Sequence, residues 1–180
     1  MDLPAQYAWL SKEPGPRILL EMLKLYGTVE APGGDDNPLI LKWAQAIGFG
    51  HVYSHDEIPW CGLTVAYAAA QAGWDYAPRG NPLWARNWLS WGKAVPKGEE
   101  MLGDVLCFQR GSAGHVAIYV GEDNTHFHIL GGNQGDAVTI KRKLKKDLLS
   151  GRRCDWRVNQ PHNVRKMLLS STGSTSTKES

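Results

Sequence analysis

The chain has 180 residues, 42% of them hydrophobic and 21% charged, a mix that fits one globular domain and excludes wholesale disorder and fibrous repeats. Its 20 basic and 18 acidic side chains leave a formal net charge of +2, too little to argue for a nucleic-acid partner yet no barrier to an anionic polymer. No stretch approaches the roughly 18 uninterrupted apolar residues of a membrane span, and the start, Met1-Asp2-Leu3-Pro4, lacks the basic and apolar regions of a secretory signal.

The first 50 residues read as helical. Pro16 opens a helix carried by Ile18, Leu19, Met22, Leu23, Leu25 and Tyr26, with Gly27 as its stop. After the turn at 33–36, Asn37 and Pro38 supply a cap and a first-turn proline. Leu39, Ile40, Trp43, Ala44 and Ile47 then form an apolar stripe to Gly48. Residues 61–73 are alanine-rich and apolar nearly all round, the pattern of a buried helix. A short helix is expected over 83–91. Beyond it the period changes: 105–109, 116–120, 126–130 and 138–141 are short β-branched or aromatic runs between turn residues, with a last strand at 154–158. This order predicts an α+β fold with N-terminal helices packed on a small antiparallel sheet. Residues 1–160 form one domain, and 161–180 a C-terminal extension whose Ser/Thr-rich tail is expected to be disordered from about Ser170. The three cysteines, Cys61, Cys107 and Cys154, lack metal spacing and imply no disulfide framework.

Three residues stand where chemistry is possible. Cys61 opens the buried helix, where unpaired N–H groups and the helix dipole favour a thiolate and can hold an oxyanion. His115 begins a strand after a glycine-rich turn, at a sheet end where a base is rigid yet accessible. Asn133, in Gly131-Gly132-Asn133-Gln134-Gly135, can orient the imidazole through its second nitrogen. Each has an ordinary alternative: a buried small hydrophobe, a turn histidine, a hairpin asparagine. Eight tryptophans indicate either a Trp-rich core or a surface that stacks on sugars or peptides.

Four motifs in order, Pro59-Trp60-Cys61, Gly103-Asp104-Val105, Gly114-His115-Val116-Ala117-Ile118-Tyr119-Val120-Gly121 and Leu130-Gly131-Gly132-Asn133-Gln134, resemble the CHAP branch of the NlpC/P60 superfamily. Its members are papain-like cysteine peptidases and amidases that cut bacterial peptidoglycan. The lead-in Glu30-Ala31-Pro32-Gly33 and Asn37-Pro38 is similar to a phage-associated CHAP-like subgroup, and the likeness spans roughly residues 15–158. It implies a papain-like fold, Cys61 as nucleophile, His115 as general base and no cofactor. Many relatives carry an acid on the strand after the histidine. That place falls on Gly131 here, which leaves Asn133 as the match and His128 or His126 as weaker candidates. Tyr53, Asp56, Trp60 and Gln134 are the expected oxyanion or substrate contacts. By its chemistry Tyr53 is the expected second oxyanion donor, and Asp56 with Glu57 the expected contact for the cationic end of a diamino-acid stem peptide, with a packed tyrosine and a solvated acidic turn as the ordinary alternatives. Trp84, Trp88 and Trp91 either line the groove or pack one helix face.

The expected role is that of a monomeric wall hydrolase with peptidoglycan as its partner. It would be held in the host cytoplasm and then act on the wall, as a phage endolysin or a type VI secretion effector. The bond cut stays open. A zinc hydrolase built on His51 and His55 with Asp123, His126 and His128, calcium at Asp35 and Asp36, and an inactive wall-binding module are the competing readings.

Overall fold

The computed structural model describes residues 2–74, 78–156 and 159–175. Three α-helices precede the sheet: α1 (Arg17–Lys24), α2 (Pro38–Ala46) and α3 (Cys61–Gln71). Asn37 caps α2 as expected, its side chain accepting the Leu39 N–H at 2.9 Å. Pro16 caps α1 from outside rather than from its first turn. The small side chains Ala66, Ala68 and Ala69 of α3 are fully buried, so neighbouring elements close tightly around it. The expected helix at 83–91 is a 3-10 helix, Ala85–Ser90. A further 3-10 helix, Ala5–Lys12, buries Tyr7 and Leu10.

Six antiparallel strands follow: β1 (Lys93–Val95), β2 (Val105–Phe108), β3 (His115–Glu122), β4 (His126–Gly131), β5 (Thr139–Leu144) and β6 (Leu148–Arg153), in the order β1-β6-β2-β3-β4-β5. The protein is therefore α+β with helices on an antiparallel sheet, as the change of period implied. Gly103 opens the route into β2, and only glycine fits there. It holds φ at +89°, and a Cβ would come within 2.1 Å of Pro16 Cγ. Asp104 beside it accepts the Met101 N–H and two bonds from Arg153, tying β2 to β6.

Two expectations are corrected. The last strand is 148–153, not 154–158, of which Arg157 and Val158 lie outside the described residues. Its sequence, Leu-Leu-Ser-Gly-Arg-Arg, lacks β-branched residues and has no strand signal of its own. Pairing with β1 on one side and β2 on the other makes it a strand. The tail is also held further than expected. Leu169 N–H donates to Glu122 O, Arg142 N–H to Ser174 O, and Ser170 and Thr172 hydroxyls bond Gln6. The backbone groups of a sheet edge accept such a partner whatever its side chains. Residues 176–180 lie outside the described residues.

Candidate active site

The ends of β2, β3, β4 and β5 that carry residues 108, 115, 131 and 139 lie together at one end of the sheet. The first turn of α3 presses on that end. A Cβ on Gly132 would lie 2.0 Å from Thr64 Oγ1 and 2.7 Å from Trp60 Cε3, so only glycine lets the β4–β5 loop pass so close. The Leu83 and Pro82 carbonyls sit equally near Gly62. Cys61 is thus enclosed at the start of α3, 3% exposed, where first-turn N–H groups have no acceptor within the helix. Cys61 lines a groove of about 340 Å³ together with Gly114, the residue before His115.

His115 is 1% exposed, and its two nitrogens differ. Nε2 lies 3.3 Å from Gln134 Oε1. The Gln134 Nε2 group faces the carbonyls of Thr139 (2.6 Å), Gly131 (3.3 Å) and Ile129 (3.4 Å). Three acceptors around the amide nitrogen fix which way the carboxamide points, so its oxygen meets His115 and the proton must reside on His115 Nε2. Nδ1 then carries the lone pair. It is buried without a hydrogen-bond partner, an arrangement that functional sites tolerate and cores avoid. No hydrogen bond joins it to the Cys61 thiol. Burial pushes the His115 pKa down to about 3, with Arg110 and Lys143 acting in the same direction and the Gln134 bond opposing them. The imidazole is therefore a neutral base.

The orienting amide is Gln134, not Asn133. Asn133 takes a left-handed conformation with φ 51°, which asparagine tolerates, and this turn presents the next side chain to His115. Gly131 explains the exchange. A Cβ there would lie 3.4 Å from Gln134 Cδ, so the Gln134 carboxamide borders the space that a side chain at 131 would enter. The missing side chain at 131, followed three residues later by an amide, was the sequence signal for Gln134. His126 and His128 do not replace it. They join a separate buried network toward the other end of β4, in which Asp123 bonds His128 Nε2 (3.1 Å) and Arg142 (2.8 Å), and Tyr7 meets His128 Nδ1 (2.7 Å).

Three other expected contacts take structural positions. The Tyr53 hydroxyl donates to the Ile58 carbonyl at 3.0 Å and the Asp56 carbonyl at 3.3 Å, which removes it as an oxyanion donor. Asp56 is fully buried and accepts the Ala31 and Asn37 N–H groups, so it shapes a loop and does not face a substrate cation. Trp60 is also fully buried, packed 6.2 Å from Trp43, with Nε1 donating to Glu30 Oε2 at 2.8 Å. It positions the helix start and lines no groove. Trp88 and Trp91 are core residues, whereas Trp84 is 68% exposed beside Cys61.

His51 stacks on Phe49 and His55 pairs with Asp36. Among the described residues no group of three His, Cys, Asp or Glu side chains is placed to hold a metal ion. Cys107 and Cys154 are buried, and burial raises both thiols to a pKa of about 12.

No protein family matches the chain, and no curated protein matches it either.

Proposed function

We propose that this protein is a papain-like cysteine hydrolase of the CHAP and NlpC/P60 type that cleaves an amide bond of peptidoglycan. The observation that carries the reading is the His115 imidazole. Gln134 fixes its tautomer, and its lone-pair nitrogen is buried and unpartnered at the sheet end that meets the Cys61 turn.

In the proposed reaction, His115 Nδ1 takes the Cys61 proton as Sγ attacks the carbonyl carbon. The tetrahedral oxyanion forms against the N–H groups of the first turn of α3. The imidazolium, still bonded to Gln134, returns the proton to the departing amine and a thioester remains. Water then attacks the thioester, giving up its proton to Nδ1, and the thiol and a carboxylic acid are released. No metal or cofactor enters these steps. The biological setting we propose is lysis of a bacterial host by a phage endolysin, a reading supported by the resemblance of the motifs and of the lead-in at residues 30–38.

The test is digestion of purified peptidoglycan by wild type, Cys61→Ala and His115→Ala, with fragments identified by mass spectrometry. Wild type should release fragments and both variants should not. Equal release by Cys61→Ala would remove the mechanism, and loss of activity with EDTA, restored by zinc, would replace it with a metal hydrolase.

A further inference from the structure

The buried network around His128 ties together parts of the chain that are far apart in sequence. The Tyr7 hydroxyl of the 3-10 helix Ala5–Lys12 lies 2.7 Å from His128 Nδ1. His128 Nε2 lies 3.1 Å from Asp123 Oδ2, which also accepts the Arg142 Nε–H at 2.8 Å. Residues 170–175 run over this network as a strap. A Cβ on Gly173 would come within 3.3 Å of the Tyr7 hydroxyl and 3.5 Å of Arg142 Cδ. The Ser174 carbonyl accepts the Arg142 N–H on the outer edge of β5. Gln6, next to Tyr7, bonds the Thr172 carbonyl and hydroxyl and the Ser170 hydroxyl. The strap's side chains are all exposed, so polar contacts rather than burial hold it, and such segments open first.

The proton positions follow from the partners. Burial opposes ionisation of Asp123, but bonds from the Thr125 N–H, Arg142, His128 and the His126 N–H outweigh it and hold the carboxyl far below the usual range. Asp123 therefore only accepts, and His128 Nε2 carries the proton between them. Burial raises the Tyr7 hydroxyl to about 12, so Tyr7 keeps its proton and donates it to the Nδ1 lone pair. A second proton on His128 would occupy that lone pair and set N–H against O–H. The Tyr7 hydroxyl would have to turn away, and it has no other hydrogen-bond partner among the described residues.

The surroundings of His128 also disfavour a charge. Facing it are Tyr7 from the 3-10 helix, Asp123 from the β3–β4 turn, His126 from β4 and Arg142 from β5, and Asp123 is already paired with Arg142 at 2.7 Å. The helices α1 and α3, which also pack on β4, bury no acidic or basic side chain, and the strap, Ser-Ser-Thr-Gly-Ser-Thr, brings none. Burial holds the His128 pKa below 6.5, with Asp123 opposing it and Arg142 and His126 adding to it.

We infer that this network is an acid-operated latch: a proton taken up at His128 Nδ1 breaks the bond to Tyr7 and releases the 3-10 helix Ala5–Lys12 together with the strap, while the sheet and its Cys61–His115 end stay folded. The open form binds the proton near 6.5 and the closed form only at lower pH. The latch is therefore shut at neutral pH and opens as pH falls below 6.5. Opening is favoured by up to about tenfold per pH unit there, hence up to about 30-fold between pH 7.5 and pH 5. Release bares Tyr7 and Leu10, now 2% and 0% exposed, and the outer edge of β5, which then offers its backbone groups to proteases or to another strand.

Amide hydrogen exchange of the full-length protein, read by NMR as protection factors at pH 7.5 and pH 5, tests the latch with the intrinsic pH dependence divided out. Residues 7–12 report the 3-10 helix and the Arg142 N–H reports the strap. Ile118 and Leu130, paired across β3 and β4, report the core. Wild type should lose several-fold to about 30-fold of the protection at the first two on acidification, with the core far better protected at both pH values. His128→Gln has an amide oxygen to accept from Tyr7 and a nitrogen to donate to Asp123, but it does not titrate, so its protection at pH 5 should match that at pH 7.5. Tyr7→Phe keeps the ring and removes the bond, and should cost roughly 5- to 150-fold of that protection already at pH 7.5. Protection that does not change with pH, or that falls as steeply in His128→Gln as in wild type, overturns the latch. Wild-type protection in Tyr7→Phe overturns it too. An Arg142 N–H that exchanges only when Ile118 and Leu130 do also overturns it, since release would then be global unfolding.

Discussion

Replacing Gln134 by leucine removes the acceptor from His115 Nε2 while keeping a side chain of similar length. Two consequences follow from the distances. The buried Nε2–H, 3.3 Å from its acceptor in the native protein, is orphaned. The carbonyls of Thr139, Gly131 and Ile129 also lose the amide group that lies 2.6 to 3.4 Å from them. An unsatisfied buried group costs about 1–3 kcal/mol. The histidine can escape part of that cost by moving its proton to Nδ1, which leaves no base for the thiol. The expected loss in kcat/KM is therefore roughly 5- to 150-fold, accompanied by about 1–3 kcal/mol of lost folding stability. Gln134→Glu separates the two effects. Its carboxylate sets oxygens against three carbonyls and should also destabilise, but its charge favours the imidazolium and should raise the His115 pKa from about 3. The acid limb of the kcat/KM profile should move to higher pH. Nitrogen chemical shifts of the imidazole read the tautomer directly. Wild-type protonation on Nδ1, or a Gln134→Leu variant with wild-type kcat/KM, would refute the reasoning.

Other outcomes follow from the same geometry. Burial raises the Cys107 and Cys154 thiols to about 12, so limited iodoacetamide treatment should alkylate Cys61 first and abolish activity. Peptide mapping that finds Cys154 modified first, with activity lost, would shift the mechanism to that thiol. Glu30→Ala strands the fully buried Trp60 indole N–H and should cost about 1–3 kcal/mol in a urea melt. Glu30→Gln, which keeps an acceptor, should cost much less, and equal losses would count against this contact. Acid stability has a defined sign. Burial holds the folded His115 at about 3 against an unfolded value of 6.5, so below pH 6.5 the unfolded chain binds the extra proton. The contribution is complete above pH 6.5 and falls by up to about 1.4 kcal/mol per pH unit as pH drops toward 3. His128, also lowered by burial, acts in the same direction. Urea midpoints at pH 7 and pH 4.5 should show this slope, and His115→Gln should flatten it.

Much of the fold was written locally. Asn37-Pro38 and the apolar stripes placed the helices, and the change to alternating runs placed β2 to β5, because caps, proline and periodicity act within a few residues. The places of the two residues proposed to react were legible for the same reason: Cys61 stands at a helix start and His115 at a strand start, positions that local signals mark. What the sequence could not reveal depends on distant partners. β6 is a strand because β1 and β2 flank it, and the tail is ordered because β3 and β5 offer it backbone groups. The choice of Gln134 over Asn133 turns on a left-handed residue at 133 and the absent side chain at 131. Tyr53, Asp56 and Trp60 had the right chemistry at the right sequence distance from Cys61. Packing turned the Tyr53 hydroxyl toward backbone carbonyls, Asp56 Oδ2 toward backbone amides and the Trp60 indole N–H toward Glu30, and buried all three side chains. Residue type and spacing determine which groups come near a site, and only the tertiary structure, by satisfying some of them and leaving others unpartnered, decides which can react.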